Sequence, residues 1–291
     1  MNTKFAVGLV AILTGLPVLE VFAQPTHASR MITVAGVPVR VSTAGLDRRV
    51  AGQPVIVLEA GSGADLETWK PVFTDLAAIG PVAAYDRLGL GQSGADPKTP
   101  TLTRNVETLH DVLHGLAPPP YVLVGHSLGG VIVRGFSHLY PTETAGLVYL
   151  DSPDFEATRV ERASVLSGEA RERALQPLDL PAIPADTPAG LRPVYEQLLA
   201  EMRDDFPSAR PWRQPQGIPV GVIVTARSDR LRGNGGALVR LQIKHQMEWT
   251  LGSANGIFAI AGHTGHQVHR DDPALVVSIV RHVFERATAK K

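Results

Sequence analysis

The residues with the most pointed chemical content are Gly125-His126-Ser127-Leu128-Gly129-Gly130. They follow the apolar run Tyr121-Val122-Leu123-Val124. They open a stretch whose apolar residues Leu128, Ile132, Phe136 and Leu139 recur at helical spacing. A serine on a tight strand-to-helix turn is the setting that gives a G-x-S-x-G pattern chemical meaning. Such a turn forces a strained backbone at the serine, and glycines on either side remove the Cβ atoms that would collide there. It lifts the hydroxyl clear of the sheet and sets a helix N-terminus beneath it, so that the backbone N–H of Leu128 meets a developing oxyanion. Ser127 is therefore a candidate nucleophile for acyl transfer. A serine hydroxyl attacks only when a base takes its proton, so one of the ten histidines must be brought to it. His126 adjoins the serine, but adjacent side chains in such a turn point different ways, and it is expected to pack or to support the site from behind, not to act as the base.

A residue presented in this way needs a sheet beneath it. Ile32 to Ser42 alternates around Gly36-Val37-Pro38 and reads as a hairpin. Short continuous apolar runs follow at Val55–Leu58, Val82–Tyr85, Tyr121–Val124, Gly146–Leu150, Val220–Val224 and Ile257–Ile260, each expected to be a buried strand. Between them lie helical stripes through Trp69, Val72, Phe73 and Leu76, and through Leu102, Val106, Leu109, Leu113 and Leu116. Pro118-Pro119-Pro120 stops the second stripe. The helix from Leu128 stops at Pro141, and a closing helix over Leu275 to Phe284 is capped by Asp272. Alternation of this kind requires crossover connections and a mostly parallel sheet covered on both faces. Sites on such sheets sit at the carboxyl ends of the strands. Residues 154–217 break the pattern. They hold no buried-strand run, are rich in proline and charge, and carry one amphipathic helix through Val194, Leu198 and Met202. A segment of this length between two strands is expected to be a lid over the strand ends.

With these elements in place, the chain resembles the α/β-hydrolase family over nearly its whole length. The resemblance rests on the GHSLGG turn and on Tyr85-Asp86-Arg87-Leu88-Gly89-Leu90-Gly91-Gln92-Ser93, similar to the family's D-R-x-G-x-G-x-S turn. It rests also on Leu58-Glu59-Ala60-Gly61-Ser62-Gly63, which looks like the oxyanion loop with Ala60 in place of the usual histidine. It implies an α/β fold: a mostly parallel α/β-hydrolase sheet with helices on both faces and an inserted lid. It implies the Ser62 N–H as second oxyanion donor beside Leu128, and a mainly structural role for Asp86 and Arg87. The family order of serine, acid and histidine implies that the base lies in Ala261-Gly262-His263-Thr264-Gly265-His266-Gln267-Val268-His269, just before Asp271-Asp272-Pro273. His266 fits best, and His263 is the alternative. The expected acid is Asp151, at the end of Val148-Tyr149-Leu150, with Asp229 as the alternative. Arg227 and Arg230 flank Asp229 and would compete for its carboxylate. His263, His266 and His269 have a spacing that would suit metal binding on a helix, but Gly262 and Gly265 disfavour a helix there, and no metal or other cofactor is expected.

Composition limits the remaining choices. The chain has 291 residues with Lys+Arg 28 against Asp+Glu 28, which gives no electrostatic case for nucleic acid or an anionic membrane surface. The absence of cysteine excludes disulfides, thiolate catalysis and cysteine-ligated zinc. Residues 1–23 read as a secretory signal peptide cut after Ala23. The alternative is an N-terminal anchor, against which Pro17 and Glu20 argue. The expected organisation is a core of residues 24–153 and 218–291 with a lid over 154–217, exported to the periplasm or beyond and without a stable membrane span in the mature form. The expected function is hydrolysis of a small carboxylic ester through an acyl-enzyme on Ser127, with a small acyl molecule as partner. Amidase or aminopeptidase-like, lactonase, carbon–carbon hydrolase and haloperoxidase-like activities share the signature, as does a non-catalytic ligand-binding relative. Serine at the nucleophile position argues against a dehalogenase or an epoxide hydrolase, which would carry aspartate there.

Overall fold

The computed structural model describes residues 29–178, 180, 182–187, 192–227 and 232–289. The apolar leader 1–23 and Asp229 lie outside them. Ser29–Val34 (β1) and Val37–Ala44 (β2) form the hairpin. Val55–Glu59 (β3), Lys70–Ala77 (α1), Val82–Tyr85 (β4), Leu102–His114 (α2), Tyr121–His126 (β5), Leu128–Leu139 (α3) and Thr144–Leu150 (β6) then alternate. Arg159–Ser164 (α4), Glu169–Ala174 (α5) and Arg192–Arg203 (α6) come next. Val220–Thr225 (β7), Gly233–Leu251 (α7), Ile257–Ala261 (β8), Val268–Asp271 (α8) and Pro273–Thr288 (α9) complete the chain.

Eight strands form one sheet in the order β1-β2-β4-β3-β5-β6-β7-β8. The two pairings of β2 are antiparallel and the rest are parallel. Strands β3 to β7 are apolar at nearly every position because helices cover both faces. α2 and α3 bury Val106, Leu109, Val131, Ile132 and Phe136 on one face, beside Trp249 of α7. α1 and α9 bury Val72, Phe73, Leu76, Val280 and Val283 on the other. The Thr101 hydroxyl accepts from the Arg104 N–H at the start of α2, and the Asp272 carboxylate from the Leu275 N–H at the start of α9.

The structure departs from the sequence reading in several places, and residues 154–217 hold three helices where one was expected. Trp69 closes a 3₁₀ turn over Leu66–Trp69 instead of starting the following helix. β8 is the sheet edge and only partly covered, with Ile260 53% exposed; an apolar run alone does not separate an edge strand from a central one. α7, 19 residues long, shows no apolar stripe. Its buried positions include Gly236, Gln246 and Thr250 beside Val239 and Trp249. No helix among the described residues is long and apolar enough to cross a membrane.

Candidate active site

Ser127 stands between β5 and α3 at φ 51°, ψ −122°, a conformation that L residues adopt only under strain. Its N–H donates to the Leu150 carbonyl at 3.0 Å, and its carbonyl accepts from the Gly130 N–H at 2.9 Å. The two flanking glycines are required by backbone contact. A Cβ on Gly125 would stand 2.4 Å from the Gly129 oxygen, and one on Gly129 only 2.1 Å from the Glu59 oxygen. Gly129→Ala is therefore expected to destabilise the protein by about 3 kcal/mol or more, the top of the range for overpacking. Thermal melting measures this.

The sheet order places this turn at a crevice. β3 and β5 are neighbours, and the chain runs from β3 to β4 on one side and from β5 to β6 on the other, the arrangement that opens a binding crevice in α/β sheets. The loop after β3, which carries Ser62, lies on one side of that crevice and Ser127 on the other. A Cβ on Gly61 would be 3.3 Å from the Ser127 Cβ. Arg87 fixes this loop from below. Its guanidinium pairs with Glu59 at 2.6 Å and donates to the carbonyls of Ala60, at 2.6 Å, and Gly61. Asp86 accepts from the Leu66 N–H at 2.7 Å and the Gln92 N–H at 2.8 Å. Burial pushes the Glu59 carboxyl up, against the pull of Arg87. Arg87→Met would leave a buried carboxyl and two carbonyls without their donor. It is expected to cost about 3–5 kcal/mol of stability, read as a lower urea midpoint.

The histidine and the acid meet at the same end of the sheet. His266 Nδ1 lies 2.7 Å from Asp151 Oδ2. Asp151 follows β6, the neighbour of β5, and its other oxygen accepts from the Thr225 N–H at 3.0 Å. Like Ser127 it sits at positive φ, 43°. Burial pushes its carboxyl up, but the hydrogen bonds from His266 and Thr225 outweigh this and hold it below the ordinary aspartate range. The arrangement keeps a proton on His266 Nδ1 and leaves the lone pair on Nε2. The Asp151 side chain is 4% exposed while that of His266 is 50% exposed, so the ring is anchored at one edge and open at the other. His126 holds it from the backbone side, its Nε2–H donating to the His266 carbonyl at 2.8 Å with ring centroids 4.7 Å apart.

His263 is turned away: it is 71% exposed and lies 3.1 Å from Asp272. His269 is buried, with Nε2 2.9 Å from the Thr68 hydroxyl. The three histidines of this stretch thus take three different partners. Sequence reasoning missed Thr225, which supports the Asp151 carboxylate through its backbone N–H and its side chain. It missed Gln246 as well, a fully buried α7 residue that donates at 2.7 Å to the Ser152 carbonyl, next to the acid.

His126 and His269 pack edge to face, centroids 4.6 Å apart. Burial pushes His126 down to about 4. Burial, reinforced by the imidazole of His126, pushes His269 down to about 3. In the unfolded chain both take up protons near pH 6.5. Between that pH and about 4 the unfolded chain therefore binds more protons, and stability falls as pH is lowered. Each group contributes a slope of about 1.4 kcal/mol per pH unit across that window. Urea denaturation at pH 7 and pH 5 is expected to show this loss, and His269→Gln to reduce it by one histidine's share. Asp151 acts lower, where its depressed carboxyl finally takes a proton.

Ser62 and Leu128 both line a narrow pocket. Leu102 and, from α6, Tyr195, Leu198 and Glu201 line it as well.

A model of the alpha/beta hydrolase family matches residues 56–279. An uncharacterized Bacillus subtilis protein, YqjL, is 35% identical over 105 residues, 36% of this chain and 42% of that protein. The human protein named 1-acylglycerol-3-phosphate O-acyltransferase ABHD5 is 27% identical over 290 residues, covering 81% of this chain and 80% of its own. Its pig counterpart aligns over 51% of its length, so the chain spans about half or less of the curated relatives that match it first. Among solved structures, epoxide hydrolase A from Mycobacterium thermoresistibile superposes with a TM-score of 0.59 at 17% identity, over 89% of this chain and 98% of that one. At that identity the likeness is one of fold.

Proposed function

The chain belongs to the alpha/beta hydrolase family, and from that premise we propose that it is an exported serine hydrolase cleaving a small carboxylic ester through an acyl-enzyme on Ser127. The observation that carries this reading is the Asp151–His266 pair, 2.7 Å apart, at the strand ends where Ser127 occupies its strained turn. In the proposed sequence His266 Nε2 takes the Ser127 proton as Oγ attacks the ester carbonyl. The N–H groups of Leu128 and Ser62 bind the oxyanion, and the alcohol leaves with the proton from His266. Water then repeats the steps on the acyl-enzyme. Each oxyanion donor contributes about 3–4 kcal/mol of barrier lowering. Leu128 is suited to the task because the first N–H groups of a helix lack intrahelical acceptors. The scheme requires no cofactor and no metal.

Serine at this position also argues against the activity named for the Mycobacterium structure. A serine opening an epoxide would form an ether, which no activated water at this site would hydrolyse, whereas a carboxylate nucleophile forms a labile ester. The name of the human relative supports a second reading, in which an alcohol replaces water as acyl acceptor. Glycerol added to an assay would then yield a new ester as well as free acid.

Residues 154–217 are proposed as the lid, on the ground that α6 residues line the same pocket as Ser62 and Leu128. A chain-length series of nitrophenyl esters tests the proposal. Short acyl chains are expected to turn over, with kcat/KM falling for long ones, and Leu198→Ala is expected to move the optimum to longer chains. Absence of turnover on every ester would contradict ester hydrolysis. Export is tested separately by mass spectrometry, with Gln24 expected as the first residue.

A further inference from the structure

A second constellation of side chains lies where the strands begin, at the end of the sheet opposite Ser127. His110 and His114 are one turn apart near the C-terminus of α2. Glu143 lies in the turn between α3 and β6, and its carbonyl accepts from the Tyr121 N–H at the start of β5. The two imidazoles approach this one carboxylate by the same ring nitrogen. His110 Nε2 is 3.4 Å from Glu143 Oε1, and His114 Nε2 is 3.1 Å from Oε2. The three donor atoms lie within 4.8 Å of one another.

We propose that His110, His114 and Glu143 form a binding site for a divalent transition ion of the zinc class, structural and remote from the acyl-transfer site. Three observations support this. First, bond lengths of about 2.0–2.2 Å around tetrahedral zinc place neighbouring ligand atoms roughly 3.3–3.5 Å apart. The two histidine–carboxylate spacings, each to a different oxygen of Glu143, are close to that edge length. Second, two imidazoles and one carboxylate are a donor set that suits zinc among the common divalent ions, and three protein ligands leave a fourth position for water. Third, the ligands are held before any ion arrives. The His110 ring stacks on Tyr140 with centroids 3.9 Å apart at 16°, and on His114 at 4.1 Å. The Glu143 side chain is 18% exposed and that of His114 46%, so an ion has a path from solvent. A bound ion would tie the end of α2 to the turn before β6.

The test uses the full mature chain, prepared without an oligohistidine tag and stripped with chelator. Calorimetric titration with Zn²⁺ is expected to show one equivalent. Co²⁺ is expected to give the intense visible absorption of a four-coordinate site. At a Zn²⁺ concentration about a hundred times the Kd, the melting temperature should rise by roughly 3–6 °C. His114→Ala and Glu143→Gln should fold as judged by circular dichroism and lose all three signals, while ester turnover is unchanged with or without metal. No binding by the wild-type protein overturns the proposal and leaves the cluster as a hydrogen-bonded one. Binding retained in both variants also overturns it, by placing the ion elsewhere.

Discussion

Ser127→Ala is expected to lower kcat on a nitrophenyl ester by about 10⁴- to 10⁶-fold, the range seen when the nucleophile of a serine triad is removed. The variant is informative because little else should change. The strained turn is held by the Leu150 carbonyl, by the Gly130 N–H and by the close approach of Gly129 to Glu59. None of these involves the Ser127 hydroxyl. KM and melting temperature are therefore expected to stay near wild type, and the loss to fall on kcat. Ser152 offers no substitute nucleophile, since its hydroxyl donates to the Ser127 carbonyl at 3.2 Å. Stopped-flow kinetics on wild type add a second check. A burst of nitrophenol is expected wherever deacylation is the slow step, and none in the variant.

Asp151→Asn is expected to lower kcat by about 10⁴-fold, and the reason lies in Thr225. The Thr225 N–H donates to Asp151 Oδ1. In the variant this donor fixes the amide oxygen at that position and turns the NH₂ toward His266 Nδ1, where Oδ2 stood at 2.7 Å. His266 must then carry its proton on Nε2, the wrong nitrogen for accepting one from Ser127. The packing is nearly isosteric, so the fold should persist. Asp229→Asn, measured in parallel, is expected to leave turnover within a fewfold of wild type. If Asp229→Asn alone abolishes turnover, the assignment of Asp151 is wrong.

How far the sequence reached depends on what each feature needs. The elbow was legible because its requirement is steric and local. Gly125 and Gly129 occupy positions where any Cβ meets backbone oxygen or carbon, and the apolar run before them and the stripe after them state strand and helix. The central strands were legible because burial on both faces makes them continuously apolar. The acid was less legible: aspartates at strand ends are common, and Asp151 ranked above Asp229 only narrowly, on the flanking arginines, on a spacing one residue long and on the likeness of the following stretch to relatives without an acid there. α7 was not legible, since it buries glutamine and glycine instead of an apolar stripe, and Gln246 gives up helix amphipathicity to support the Ser152 carbonyl. His126 was expected to pack or to support the site from behind, but its partner was not legible. Its hydrogen bond to the His266 carbonyl spans 140 residues of chain and leaves no local trace. The same holds for His110, His114 and Glu143, where the two histidines belong to one helix and the carboxylate to a turn beyond the next helix.

The proposal that Ser127 is activated by His266 and Asp151 is tested most directly by mapping a fluorophosphonate adduct with tandem mass spectrometry. A single phosphonylated residue is expected, Ser127, with labelling slowed at least 100-fold in His266→Ala and nearly as much in Asp151→Asn. An adduct on another residue, undiminished labelling of Ser127→Ala, or a wild-type protein inert to the probe would contradict it.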